Sequence, residues 1–194
     1  MATYQEIKGT KLKNYTEDPD NPYVGQLWYN TTVHGFRIRK VFTGSGWSTG
    51  ASLNTARSLG GSGGVQTDAL AFGGYTGSNV NNTEKYNGTS WTEVNNLNTA
   101  KRGNNVGGGS GSAISAGGYT NTNINETELW NGTNWTEVNN LNTARRELNG
   151  ASGDHDGASD NAIAFGGNPP SPGAPAITES WNGTNWTEVN DLNT

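Results

Sequence analysis

Cysteine is absent from this 194-residue chain, which removes disulfides, thiolate nucleophiles and thiolate metal sites together and leaves packing and strand pairing to hold any fold. Histidine occurs twice, as His34 and His155, and no Ser or Cys nucleophile motif accompanies either, so nothing assembles a catalytic triad. Charged residues make up only 15%, and 12 basic against 17 acidic side chains leave a net charge of -5. That balance lacks the clustered Lys and Arg with which proteins meet nucleic-acid phosphates. No apolar run approaches the roughly 18 residues of a membrane span, and the N-terminus lacks the apolar stretch of about 7–15 residues found in a secretory signal. The sequence therefore predicts a soluble chain made without a signal peptide, with no nucleic-acid partner and no membrane insertion.

What is present is glycine, at 29 residues, with 7 Trp and 7 Tyr in a chain only 30% hydrophobic. Many glycines suit short strands and tight turns better than helices. The aromatic rings bring enough apolar area to offset the entropy of ordering a chain of low charge, so it is expected to fold. Sequons such as Asn87-Gly88-Thr89 read as turns built from Asn, Gly and Thr.

Internal repetition decides the architecture. Leu-Asn-Thr recurs at Leu53, Leu97, Leu141 and Leu192, at intervals of 44, 44 and 51 residues. Six positions before each stands a tryptophan, Trp47, Trp91, Trp135 and Trp186, and five before each tryptophan another aromatic, Phe42, Tyr86, Trp130 and Trp181. Three copies add a glycine pair, Gly73-Gly74, Gly117-Gly118 and Gly166-Gly167, and an acidic residue, Glu84, Glu128 and Glu179, two before the aromatic. The first unit is incomplete.

Each full unit reads as four short strands. A Gly-rich first strand (59–65 in the first unit) precedes an apolar strand, Ala69–Phe72, that the glycine pair stops. The third strand carries Glu84 and Tyr86, and Asn87-Gly88, a strong hairpin signal, leads into the fourth, Trp91–Val94. Leu70 and Phe72 fall on one face of the second strand and Ala69 and Ala71 on the other. Both faces are expected to be buried, bulky side against the flatter side of the next sheet.

A repeat of this length, with Arg57, Lys101 and Arg145 after the Leu-Asn-Thr turn, resembles the kelch motif from Ala51 to Thr194. The resemblance implies an all-β chain of kelch-type β-propeller blades, three complete four-stranded blades plus an outer half-blade, preceded by a small N-terminal β arm. The divisions it implies are an arm at 1–34, a partial blade at 35–50, and blades at 51–95, 96–139 and 140–194, the last with longer loops. The whole chain is also similar to kelch-repeat proteins of bacteriophages, particularly marine ones. The segments that carry this are Met1-Ala2-Thr3-Tyr4-Gln5-Glu6-Ile7, Asp18-Pro19-Asp20-Asn21-Pro22, Gly25-Gln26-Leu27-Trp28-Tyr29-Asn30 and the repeated Trp-Asn-Gly-Thr and Leu-Asn-Thr-Ala-Arg strings. This resemblance implies a tail-fibre-like structural protein located in the virion and made in the host cytoplasm.

Several residue groups qualify as candidate sites. Tyr86, Trp91, Trp130, Trp135, Trp181 and Trp186 could stack sugars, but rings recurring at one register are read as core filler between sheets. Glu84, Glu128 and Glu179 could suggest paired carboxylates for glycoside cleavage, which requires two in one cleft. One per repeat points instead to pairing with the repeat's basic residue or with backbone donors at a turn. In the third unit the loop between the first two strands is five residues longer, and in it Asp154, His155, Asp156 and Asp160 form the candidate binding loop. Its oxygen ligands suit Ca2+ and His155 a transition metal, but the spacing matches no complete loop signature, and a solvated polar loop is the plainer reading. The Pro-rich run 169–175 stiffens the next loop. Gly107-Gly108-Gly109-Ser110-Gly111 lacks the Lys and helix of a phosphate cradle, and glycine there is expected to let backbones approach closely. Kelch enzymes such as galactose oxidase use copper held with cysteine and histidine, a set missing from this sequence, so no cofactor and no enzymatic activity are expected.

The expected function is therefore a non-enzymatic virion protein. Its N-terminal segment would bind other virion proteins, and its loops would contact a host-surface glycan or protein. The alternatives are a purely architectural capsid or tail decoration and, third, a carbohydrate-active enzyme. Three blades are too few for a closed ring of typically 4–8. The sequence is thus expected either to belong to a longer propeller or to form an obligate oligomer that buries the face of the third blade.

Overall fold

The computed structural model describes residues 14–18, 27–38, 49–152, 160–169 and 176–193. Among them there is no helix, and the strands form four small sheets. The chain divides into two compact units, Met1–Thr49 and Gly50–Thr194.

In the first unit, β1 (Asn14–Tyr15) runs parallel to β2 (Leu27–Asn30), which pairs antiparallel with β3 (Gly35–Ile38). The β2–β3 turn is closed by Asn30, whose Oδ1 accepts the backbone N–H of Thr32 and Val33 at 3.0 and 3.1 Å. His34 takes the left-handed conformation, φ 50, which polar turn residues tolerate better than most. The Asp18 carboxylate accepts from Asn30 Nδ2 at 2.9 Å and from buried Trp28 Nε1 at 3.0 Å. Those two bonds, Asn30's first, hold its carboxyl below the ordinary value. This pairing corrects the division expected at residue 34/35. Residues 35–38 are the second arm of a hairpin begun at Leu27 and belong to the arm's sheet. Residues 39–48 of the expected partial blade, with Phe42 and Trp47, lie outside the described residues.

The second unit contains three four-stranded antiparallel sheets, each laid down in chain order. The first comprises β4 (Gly61–Val65), β5 (Asp68–Phe72), β6 (Thr83–Tyr86) and β7 (Trp91–Val94). The second comprises β8 (Asn105–Gly108), β9 (Ala113–Tyr119), β10 (Asn123–Trp130) and β11 (Trp135–Val138). The third comprises β12 (Asn149–Ser152), β13 (Ala162–Phe165), β14 (Thr178–Trp181) and β15 (Trp186–Val189). The fourth strands begin on the repeated tryptophans, as the period requires.

Two local features refine the sequence reading. The Asn-Gly segments connect their strands by four residues, 87–90 in the first sheet. Asn87 Oδ1 accepts the N–H of Thr89 and Ser90, both at 2.9 Å, and only Gly88 takes a positive φ. Asn here is a side-chain turn former rather than a left-handed backbone residue, and Asn131 and Asn182 repeat the arrangement. The glycine pair also ends β5 and β13 but not β9, which runs through Gly117 and Gly118 to Tyr119.

The pair has a second role that requires glycine. Gly73 and Gly117, both at φ 64, lie where a Cβ would stand 2.7 and 2.5 Å from the carbonyl oxygens of Lys101 and Arg145 in the following repeat. Only a residue without Cβ permits that approach. Their successors Gly74 and Gly118 donate N–H to those same carbonyls at 2.8 and 2.9 Å.

Successive sheets meet through one interface used twice. The face of the first sheet that bears Leu70 and Phe72 packs against Ala113, Trp130 and Trp135 of the second, with Leu97 sealing the junction. Trp135 is 6% exposed, lies edge-on to Phe72 with centroids 5.0 Å apart, and donates its indole N–H to Thr83 Oγ1 at 3.0 Å. The second sheet presents Ile114 and Ala116 to Ala162, Trp181 and Trp186 of the third, with Leu141 at the junction. Trp186 donates to Thr127 Oγ1, again at 3.0 Å. Bulky side therefore meets small side, and the fourth-strand tryptophans Trp135 and Trp186 each dock on the preceding sheet.

That direction explains one departure. Tyr86 and Trp91 are half-buried rather than core, though their rings touch at 5.0 Å. Their counterparts are buried because a preceding repeat receives them, and among the described residues of this unit no sheet precedes the first.

Candidate functional site

The repeated carboxylates are tied into the scaffold. Glu84 pairs with Arg57 at 2.6 Å, Glu128 with Lys101 at 3.1 Å and Glu179 with Arg145 at 2.7 Å, every side chain at most 2% exposed. Each glutamate also receives backbone N–H groups from its Leu-Asn-Thr turn: Asn54 at 2.6 Å, Asn98 at 2.7 Å and Asn142 at 2.7 Å, with the following threonines at 3.2, 3.5 and 3.4 Å. Both partners expected from the sequence are present, and together they clamp the turn entering a repeat to that repeat's third strand. The arginines reach one step further, donating to the carbonyls of Ala71 and Ala164 at 3.2 and 3.3 Å. Lys101 cannot fork in this way, and its Nζ faces Glu128 at 3.1 Å. Burial pushes the Lys101 ammonium below its ordinary value, against the opposing pull of Glu128.

Glu84 shows the opposite balance. Burial raises its carboxyl, but the N–H groups of Asn54 and Thr55 and the Arg57 guanidinium outweigh that and hold it below the ordinary 4.5. A carboxylate with a lowered folded value contributes stability that is full above the unfolded value and is lost as pH falls through the folded one. Thermal unfolding followed by circular dichroism should accordingly show stability decreasing as pH drops below about 4.5. The loss should be smaller in Glu84→Gln, which has no proton to gain there.

The glycine-rich first strands lie side by side, β8 between β4 and β12. A Cβ on Gly63 would collide with the backbone of Gly108, the close approach expected of glycine here. Residues 62–65, 105–108 and 150–152 line a cavity of ≈ 350 Å³ whose walls are mostly backbone and small side chains.

A different group occupies the end of the unit where the second strands finish. Arg102 is sandwiched between the rings of Tyr75 and Tyr119, 4.5 and 4.7 Å from their centroids, and Arg146 covers Tyr119 at 4.9 Å. The four planar groups form a half-buried row, Tyr75, Arg102, Tyr119, Arg146, crossing from the first repeat to the third. Asn79 and Asn123 orient the guanidinium groups by accepting from Arg102 Nη1 at 3.2 Å and Arg146 Nη1 at 3.1 Å. Cation–π contacts of this kind contribute about 0.5–2 kcal/mol each. The sequence reading missed this row, although the spacing of 44 between Tyr75 and Tyr119 and between Arg102 and Arg146 was visible. Asn168 and Ser58 break the pattern in one repeat each.

Of the sequence-predicted site residues, Trp130, Trp135, Trp181 and Trp186 are buried, and Trp130 donates its indole N–H to Ser110 O at 2.8 Å. Rings in those positions have no free face for a sugar. Asp160 is exposed at a turn, while Asp154, His155 and Asp156 lie outside the described residues. Among the described residues no three His, Asp or Glu side chains gather into a metal-binding group. Neither protein-family models nor curated proteins give a match to this chain.

Proposed function

We propose that the chain is a non-enzymatic structural protein of a phage particle, built as kelch-type propeller blades, whose loops contact a glycan or protein on the host surface. The observation that carries the binding part is the Tyr75–Arg102–Tyr119–Arg146 row. Aromatic and guanidinium planes fixed on a rigid frame offer stacking and hydrogen-bonding area with little entropy left to lose, and Tyr and Arg dominate the hot spots of recognition surfaces. The repeated glutamates favour this over glycoside cleavage, because each is held in a separate sheet by a basic partner and turn N–H groups. The particle context rests on the N-terminal and repeat strings quoted above, and the compact Met1–Thr49 unit suits the part that attaches to other virion proteins.

Binding of the purified full chain to host cells and to a glycan array tests the reading. Arg102→Ala and Tyr119→Ala should each weaken binding at least tenfold while the chain still unfolds cooperatively. Unchanged binding by both folded variants would move recognition elsewhere. No binding to any host surface would favour the architectural alternative. Absence of the polypeptide from purified particles would remove the virion reading altogether.

A further inference from the structure

The interface between successive sheets is used twice inside the chain, and among the described residues its two halves are each left over once. The forward half is the face that bears Leu70 in the first sheet and Ile114 in the second, both 0% exposed, whereas the matching Ile163 of the third sheet is 36% exposed. Leu97 and Leu141 are 2% and 1% exposed, whereas the matching Leu192 is 47% exposed, although its N–H still bonds to Ala176 O at 3.0 Å as Leu97 and Leu141 bond to Asn81 and Asn125. Leu192 is therefore positioned as a junction residue while its side chain stays exposed. On the same face stand Val189, 39% exposed, and Thr178, the counterpart of the two threonines that accept a tryptophan indole. The receiving half is the small-residue face of the first sheet, where Trp91 is half-buried and, among the described residues, its indole N–H has no acceptor of the kind that Thr83 and Thr127 provide.

We infer that the third sheet's Ile163–Leu192 face docks a second copy of this chain, which enters with Trp91 of its own first sheet and donates the indole N–H to Thr178. The occupant follows from continuity with an established interface. The same residue types, in the same register, already form this contact between sheets one and two and between sheets two and three, and the chain itself carries the missing half. The contact is head-to-tail, so it closes into a ring if the rotation between copies allows and otherwise extends.

Sedimentation analysis of the full chain tests this. The wild-type chain should form concentration-dependent assemblies heavier than 20.5 kDa. Ile163→Glu and Leu192→Glu, at surface positions where the fold tolerates charge, should each reduce the species to the single-chain mass. Trp91→Ala should do the same from the other side. Mixing Ile163→Glu, whose Trp91 face is intact, with Trp91→Ala, whose Ile163 face is intact, should restore a 1:1 dimer. A wild-type chain that stays monomeric at every soluble concentration would overturn the proposal. So would assemblies indifferent to both glutamate variants, or folded Ile163→Glu and Trp91→Ala chains that fail to pair on mixing. Leu192→Glu keeps the test decisive if Trp91→Ala does not fold.

Discussion

Replacing Glu179 with glutamine is expected to cost the protein about 3–5 kcal/mol, the loss typical of breaking a buried ion pair by removing one partner. Arg145 and Glu179 are both 0% exposed in their side chains, and Arg145 Nε already lacks a partner. Glutamine would turn an amide donor toward a guanidinium that cannot shed its charge, and it would weaken the clamp on the N–H groups of Asn142 and Thr143. The same substitution at Glu128 should cost less. Lys101 is already pushed toward its neutral form by burial, and in Glu128→Gln it can release its proton instead of remaining charged and alone. Its cost should shrink as pH rises, whereas that of Glu179→Gln should not. Chemical denaturation of the two variants at several pH values measures both effects. Equal, pH-independent losses would contradict the assignment.

Trp135→Ala should destabilise by about 3–5 kcal/mol, as for other buried large aromatics. The indole fills the space between two sheets, touching Phe72 and, with centroids 5.5 Å apart, Trp130. Its removal leaves a cavity and strands Thr83 Oγ1 without its donor. Trp91→Ala removes the same side chain from a half-buried site and should cost clearly less. A loss below about 1 kcal/mol for Trp135→Ala would place that ring on the surface, where most substitutions have small effects.

Much of this arrangement was legible in the sequence because repetition multiplies weak signals. A lone Trp-Thr-Glu-Val would say little, but its recurrence at Trp91, Trp135 and Trp186 located three fourth strands. The glutamate pairing was legible for the same reason, since one acid and one base per repeat have no other economical partner when both are buried. Alternation along Ala69–Phe72 revealed two faces, but not which neighbour each would meet. That depends on the handedness of stacking, and it decides why Trp91 is half-buried while Trp135 is not. Leu59 and Glu147 were unreadable as turn residues. Both adopt φ 56 at the position where the second repeat has Gly103, and side chains other than glycine give no warning of a left-handed backbone. They hold it because one ladder crosses the repeats there, Gly103 N–H to Leu59 O and Glu147 N–H to Gly103 O, both at 2.7 Å. The Tyr–Arg row was hidden because a surface aromatic beside a glycine pair looks like any loop residue until its neighbour from the next repeat is placed over it.

One interface is built twice in this chain, with Trp135 and Trp186 in equivalent places. Hydrogen exchange at the tryptophan indoles, read by NMR on the 15N-labelled chain, tests it most directly. The indole N–H groups of Trp135 and Trp186, bonded to Thr83 and Thr127 at 3.0 Å, should both be strongly protected. Thr83→Val should collapse the protection of Trp135 while leaving that of Trp186 largely intact. Exchange of either indole at the rate of an exposed tryptophan in the native chain would contradict the account.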